Sequence, residues 1–151
     1  MHAHSRRSAL RLVALAAASP FAAPMPSLAG DKVALAIKGY DPVAYFTLGK
    51  ATPGLPDIEH DWDEYRYRFS RPEHRELFKA APERYAPQFT NFCAMALALG
   101  KIIQADPESW LVVDGKLYVF GGPAGRDRFQ QDLSENIGKA NQNRAMLRKS
   151  Q

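Results

Sequence analysis

The sequence predicts an α+β fold, with two β-hairpins forming a small antiparallel sheet and several short helices packed around it. Three observations support this. Residues 58–69 carry two alternating runs, and residues 110–120 place Asp114-Gly115 between two more. Proline and glycine cut most of the remaining chain into segments of helical length.

In chain order, Gly39-Tyr40-Asp41-Pro42 reads as a turn into a helix, with Asp41 capping the free amides and Pro42 at the first helical position. That helix carries Val43, Ala44, Tyr45 and Phe46 and stops near Gly49, before a loop marked by Pro53, Gly54 and Pro56. In the first hairpin, Ile58, His60 and Trp62 alternate with acids, and Tyr65, Tyr67 and Phe69 alternate with arginines. This is the period-two pattern of half-buried strands, with Asp63-Glu64 as the turn. Ser70 precedes Glu73 as in a capping box, with Pro72 early in a helix that turns Leu77 and Phe78 inward and ends at Pro82. Tyr85 follows in a short turn, and Phe89 to Leu99 reads as one apolar, buried helix stopped by Gly100. Trp110–Val113 and Lys116–Phe120 form the second hairpin around Asp114-Gly115. Residues 123–131 and 134–148 close the chain as amphipathic helices, and Gly121-Gly122-Pro123-Ala124-Gly125 reads as a flexible connection into the first of them.

Residues 1–29 have the three-part plan of a secretory signal. Arg6, Arg7 and Arg11 are followed by an apolar run from Leu12 to Ala18, then by Ser27-Leu28-Ala29, which fits cleavage before Gly30. The run falls far short of the ~20 apolar residues that span a bilayer, so no stable membrane insertion is expected after cleavage. Ser5-Arg6-Arg7-Ser8-Ala9-Leu10-Arg11 resembles the twin-arginine export motif, with Ala9 where that motif usually has Phe. The resemblance implies a bacterial periplasmic protein that crosses the membrane already folded, often with a cofactor in place.

Residues 1–29 hold three arginines and no acid, so the net charge of +4 falls to +1 for residues 30–151. A near-neutral chain offers no electrostatic case for nucleic acid. Residues 30–151 suffice for one domain with its own core. Cys93 is the only cysteine, which excludes an internal disulfide and any zinc site built mainly from thiolates of one chain. There is no phosphate loop, dinucleotide-binding glycine pattern or His-Glu-x-x-His helix.

Several stretches together resemble the YHS domain: Gly39-Tyr40-Asp41-Pro42-Val43-Ala44-Tyr45-Phe46, then Tyr67-Arg68-Phe69-Ser70, then Phe78, Pro82 and Tyr85. Tyr85-Ala86-Pro87-Gln88, Phe92-Cys93-Ala94 and Asp114-Gly115-Lys116-Leu117-Tyr118 are similar to the exported single-domain branch of that family. The likeness runs from Lys38 to Phe120 and implies a fold more firmly than a function. In the metal-associated branch the matching segments read Asp-Pro-Val-Cys-Gly-Met and Phe-Cys-Ser-x-x-Cys, whose soft thiolates suit copper or zinc. Here Ala44, Ser70 and His74 stand at the three thiol positions, and of these only His74 keeps ligand chemistry.

The candidate site is therefore Cys93 with Tyr40, Asp41 and Tyr45 as ligand-binding residues, and Cys93 with His74 and His60 as metal ligands. A thiol beside an imidazole binds Cu(I) or Zn(II), or gains redox reactivity from a lowered pKa. Each residue also has a structural reading. Cys93 reads equally as an inert buried thiol, Asp41 as a helix cap, and the tyrosines as packing residues. His60 reads as a half-buried strand residue and His74 as a solvent-exposed helix residue. The leading expectation is a non-enzymatic binding module holding a metal ion or small molecule near Cys93. The rivals are a thiol-dependent redox or sulfur-handling enzyme and an accessory domain with no active site.

Overall fold

The structure, a computed structural model, describes residues 33–149. The export signal expected over residues 1–29 lies outside them. The elements run β1 (Ala34–Leu35), a short 3-10 turn (Ala36–Gly39), α1 (Ala44–Thr47), β2 (Leu55–Trp62), β3 (Tyr65–Phe69), α2 (Pro72–Ala80) and α3 (Pro82–Tyr85). They continue with α4 (Ala94–Ala98), β4 (Asp106–Val113), β5 (Lys116–Phe120), α5 (Pro123–Gln131), α6 (Leu133–Gln142) and a 3-10 segment (Asn143–Lys149). The class is α+β, as expected.

Both hairpins form, but they do not join into one sheet. β2 and β3 belong to a three-stranded sheet of order β1-β3-β2, while β4 and β5 form a separate two-stranded ribbon. The edge of β3 that a second hairpin would need is taken by β1, which pairs in parallel with Ala34 opposite Tyr65 and Leu35 opposite Arg66. β2 is the outer strand and begins earlier than expected, at Leu55, so it contains Pro56. Proline lacks an amide to donate, and an edge strand with a register shift between Leu55 and Glu59 tolerates it.

Alternation explains how the layers pack. In β3, Tyr65, Tyr67 and Phe69 point inward and are buried. Arg66 and Arg68 point outward, where their Nε atoms donate to Asp61 at 2.7 Å and Glu59 at 2.8 Å across the hairpin. Such exposed pairs add little stability, but they fit only one register. Phe78 of α2 covers the inner face, with ring centroids 4.6 Å from Tyr67 and 5.3 Å from Phe69.

β5 is buried on both faces. Leu117 and Val119 join a first core with Val43, Tyr45, Tyr67, Phe69 and Phe78. Tyr118 and Phe120 join a second with Cys93, Leu97, Phe129 and Ala140. The β4–β5 ribbon is thus a partition between two cores. Its turn, Asp114-Gly115, has φ of 49° and 70°, the left-handed pair that a tight hairpin requires.

Three local expectations give way. The helix expected over Phe89–Leu99 shrinks to α4, Ala94–Ala98. Thr90 has φ 48°, and the Asn91 side chain is committed elsewhere, accepting from Ile37 N at 2.6 Å and donating to Leu35 O at 3.0 Å. Those bonds hold the left-handed turn at Ile37 and Lys38, and they compete with helix at Asn91. Leu77 is 43% exposed rather than inward, because the nine-residue α2 buries only the stripe through His74 and Phe78. Pro82 starts α3 as well as ending α2.

Gly54 passes directly over β3. A Cβ there would lie 2.5 Å from the Arg68 carbonyl carbon, while one at Gly138 in α6 would meet nothing within 4 Å. Gly54→Ala is therefore expected to destabilise the domain by about 1–3 kcal/mol, as overpacking does. Gly138→Ala should stabilise it by about 0.5–1 kcal/mol through helix propensity. Paired denaturant melts will check both signs.

Candidate functional site

Two places in the structure concentrate chemistry, one on each side of the ribbon. The first is built on Asp41, which is fully buried. Pro42 has no amide hydrogen, so the first amides of the turn belong to Val43 and Ala44, and both donate to Asp41 Oδ1, at 2.9 and 3.3 Å. Oδ2 accepts three more bonds: from Ser70 N at 2.8 Å, from Ser70 Oγ at 2.6 Å and from His74 Nδ1 at 2.6 Å. Asp41 thus accepts the amides of the turn as expected, but α1 begins two residues later than Pro42, at Ala44 with Val43 as its N-cap. The carboxylate is above all a tie between α1, the end of β3 and α2. The capping box expected between Ser70 and Glu73 does not form. Ser70 turns its hydroxyl to Asp41, and Arg71 occupies the N-cap without a side-chain bond.

His74 is buried, not exposed, and both ring nitrogens are engaged. Nε2 lies 3.1 Å from Thr47 Oγ1, which itself stands 3.1 Å from the Val43 carbonyl. Which of Nε2 and Thr47 Oγ1 donates across that contact depends on the ring tautomer. The order Asp41–His74–Thr47 matches the connectivity of a nucleophile triad. However, none of the cavities described here opens at Thr47. The chain of bonds reads as architecture.

Tyr40 and Tyr45 anchor the same region to β4. Tyr40 donates to Glu108 Oε1 at 3.0 Å and Tyr45 to the Pro107 carbonyl at 2.9 Å. That bond and the Glu108 charge raise the Tyr40 hydroxyl above its ordinary value. Burial, followed by Glu108, raises Tyr45 further, and burial does the same at Tyr67. His60 sits on β2 with its ring edge-on to Phe78, 6.3 Å between centroids.

The second place is a cavity of about 420 Å³ around Cys93, lined also by Met95, Leu99, Lys101, Ile103 and Arg128. Cys93 is 5% exposed and N-caps α4, with Sγ accepting the Ala96 amide at 3.4 Å. Gly121, Gly122, Ala124 and Gly125 supply the facing wall, and a Cβ on Gly125 would lie 3.6 Å from the thiol. This is the Gly-rich stretch expected to be a mere connection. Its missing side chains leave the space open, and nothing in its spacing indicates which neighbour it faces.

The structure does not assemble the expected sets. Tyr40, Asp41 and Tyr45 bond on the first-core side, while Cys93 belongs to the second core. Cys93, His74 and His60 do not converge either: His74 is held by Asp41 and Thr47, and His60 packs on Phe78. Among the described residues no group of three or more His, Cys, Asp or Glu side chains could hold a metal ion, and no helix is long and apolar enough to cross a membrane. Compared with known protein families, curated protein sequences and solved structures, the chain matches none.

Asp41→Ala would leave His74, Ser70 and the Val43 and Ala44 amides without their acceptor, and should cost about 3–5 kcal/mol. Thr47→Val removes one exposed hydroxyl and should cost about 0.5–1.5 kcal/mol. Urea melts of the two variants will test that ordering. The raised tyrosines predict alkaline instability with a defined sign. Tyr45 and Tyr67 stay protonated in the folded chain, but ionise in the unfolded chain near pH 10.0. Their contribution is therefore complete below pH 10.0 and is lost as the pH rises further. Phenolate absorbance for these residues should appear only together with unfolding.

Proposed function

We propose that residues 30–151 form an exported, non-enzymatic binding module that holds a small ligand in the cavity beside Cys93. The observation that carries this reading is the cavity itself. Its volume of about 420 Å³ falls in the range of small-molecule sites, and apolar side chains and backbone dominate its walls. The twin-arginine-like leader and the likeness to exported YHS domains support the location and the binding role. The three positions where the metal-associated branch would carry thiols, Ala44, Ser70 and His74, all bond the Asp41 carboxylate here. That gives them a structural occupation, and favours a small molecule at Cys93 over a metal ion at those positions.

Gly125 offers a direct test. It lies in α5, and a Cβ there would meet the Cys93 thiol at 3.6 Å, so Gly125→Leu should fill space in the cavity, with a denaturant melt of the variant showing that it still folds. The uncharged fluorescent probe phenylnaphthylamine should bind the mature domain, slow maleimide labelling of Cys93, and bind at least about tenfold more weakly to Gly125→Leu. An unchanged affinity in that variant would remove the cavity from consideration. Stoichiometric copper or zinc in protein taken from the periplasm, lost in Cys93→Ser, would replace the small-ligand reading with a metal one.

A further inference from the structure

The charge around this cavity narrows the class of ligand, taking the cavity to be a ligand site as proposed above. Its walls hold two cations, Lys101 and Arg128, and no acid. A cavity of about 510 Å³ includes Asp63, Glu83 and Asp114, and one of about 530 Å³ includes Asp63 and Glu64, each beside basic residues, so their charges are mixed. Lys101 and Arg128 also differ from many cations of the chain. Arg66, Arg68, Arg75, Lys79, Arg126 and Lys139 each pair with a carboxylate, whereas among the described residues neither Lys101 nor Arg128 has a side-chain partner.

The start of α5 adds positive character. This nine-residue helix opens on the cavity wall at Gly122, without a side-chain cap and with no acid in its first turn. Pro123 has no amide, and the Gly125 and Arg126 amides donate to the Gly122 carbonyl at 3.1 and 3.3 Å, so α5 offers the cavity the Ala124 amide and the positive end of its dipole. The rest of the wall is apolar. Met95 is buried beside the thiol, while Leu99 and Ile103 are 44% and 49% exposed. A sugar or nucleotide would need many polar partners, and this wall offers few.

We infer that the cavity takes an amphiphilic anion, with an acidic head between Lys101, Arg128 and the start of α5 and a short apolar body against Met95, Leu99 and Ile103. Octanoate is the probe of choice, with octanol, octylamine and inorganic phosphate as its partial mimics. By calorimetry on the mature domain, octanoate should bind about tenfold tighter than octanol, with octylamine weaker still. Added salt should weaken octanoate and leave octanol unchanged. The double variant Lys101→Ala/Arg128→Ala should bind octanoate about fivefold or more weakly, given the modest worth of exposed charges, and its preference for octanoate over octanol should fall toward one.

Octanol binding as well as octanoate, or a double variant that binds octanoate normally, would overturn the anionic head while leaving the cavity as a site. Inorganic phosphate binding as tightly as octanoate would overturn the apolar body. If neither phenylnaphthylamine nor any of the alkyl probes binds, the cavity reading falls and this inference with it. A Lys101→Arg/Arg128→Lys variant, which keeps both charges, should restore octanoate binding, and its failure to do so would count against a charge-based head site.

Discussion

A single buried carboxylate organises the sheet side of this domain. Asp41 is fully buried and accepts five hydrogen bonds, from the turn before α1, from Ser70 at the end of β3 and from His74 on α2. A carboxylate removed from water is costly unless its oxygens are satisfied, so these donors are not free to adopt other positions. Their convergence fixes where α2 lies. Phe78, one helical turn after His74, then falls over Tyr67, Phe69 and Trp62. The aromatic core of the three-stranded sheet follows from the same constraint.

The second organising element is β5. A strand with both faces buried cannot be the outer layer of a one-sided sheet, and here it separates two cores. The polar chemistry on one side is consumed internally, since Asp41, Ser70, His74, Tyr40 and Tyr45 all have protein partners. On the other side, the cavity at Cys93 is lined by Lys101 and Arg128 and by no acid. Most residues with conspicuous side-chain chemistry thus lie across the ribbon from the cavity beside α4 and α5.

Much of the fold was legible because it rests on local rules. Alternation and the Asp114-Gly115 turn located both hairpins, and Asp41-Pro42 located the turn into α1. Expectations failed where a distant partner competed with a local one. Ser70 left its capping box for a carboxylate 29 positions earlier in the chain, and Asn91 gave up helix to hold Leu35 and Ile37. His74 sits among Arg and Glu, which suggested exposure, yet it points toward Asp41 and is buried. The site was partly legible. Cys93 was singled out as a lone thiol, but Lys101, Arg128 and the Gly121–Gly125 stretch carry no local sign of facing it.

By itself, then, the sequence determined the α+β class, both hairpins and their turns, and the turn at Asp41-Pro42 that leads into α1. Those features depend on side-chain period, turn chemistry and proline geometry, which act within a few residues. Only the tertiary structure decided that the hairpins lie in separate sheets, that Asp41 and Cys93 belong to different cores, and that a glycine-rich stretch opens a cavity at the thiol. Such outcomes depend on which buried polar groups and sheet edges find partners across the fold, and that competition is settled only when the whole chain packs.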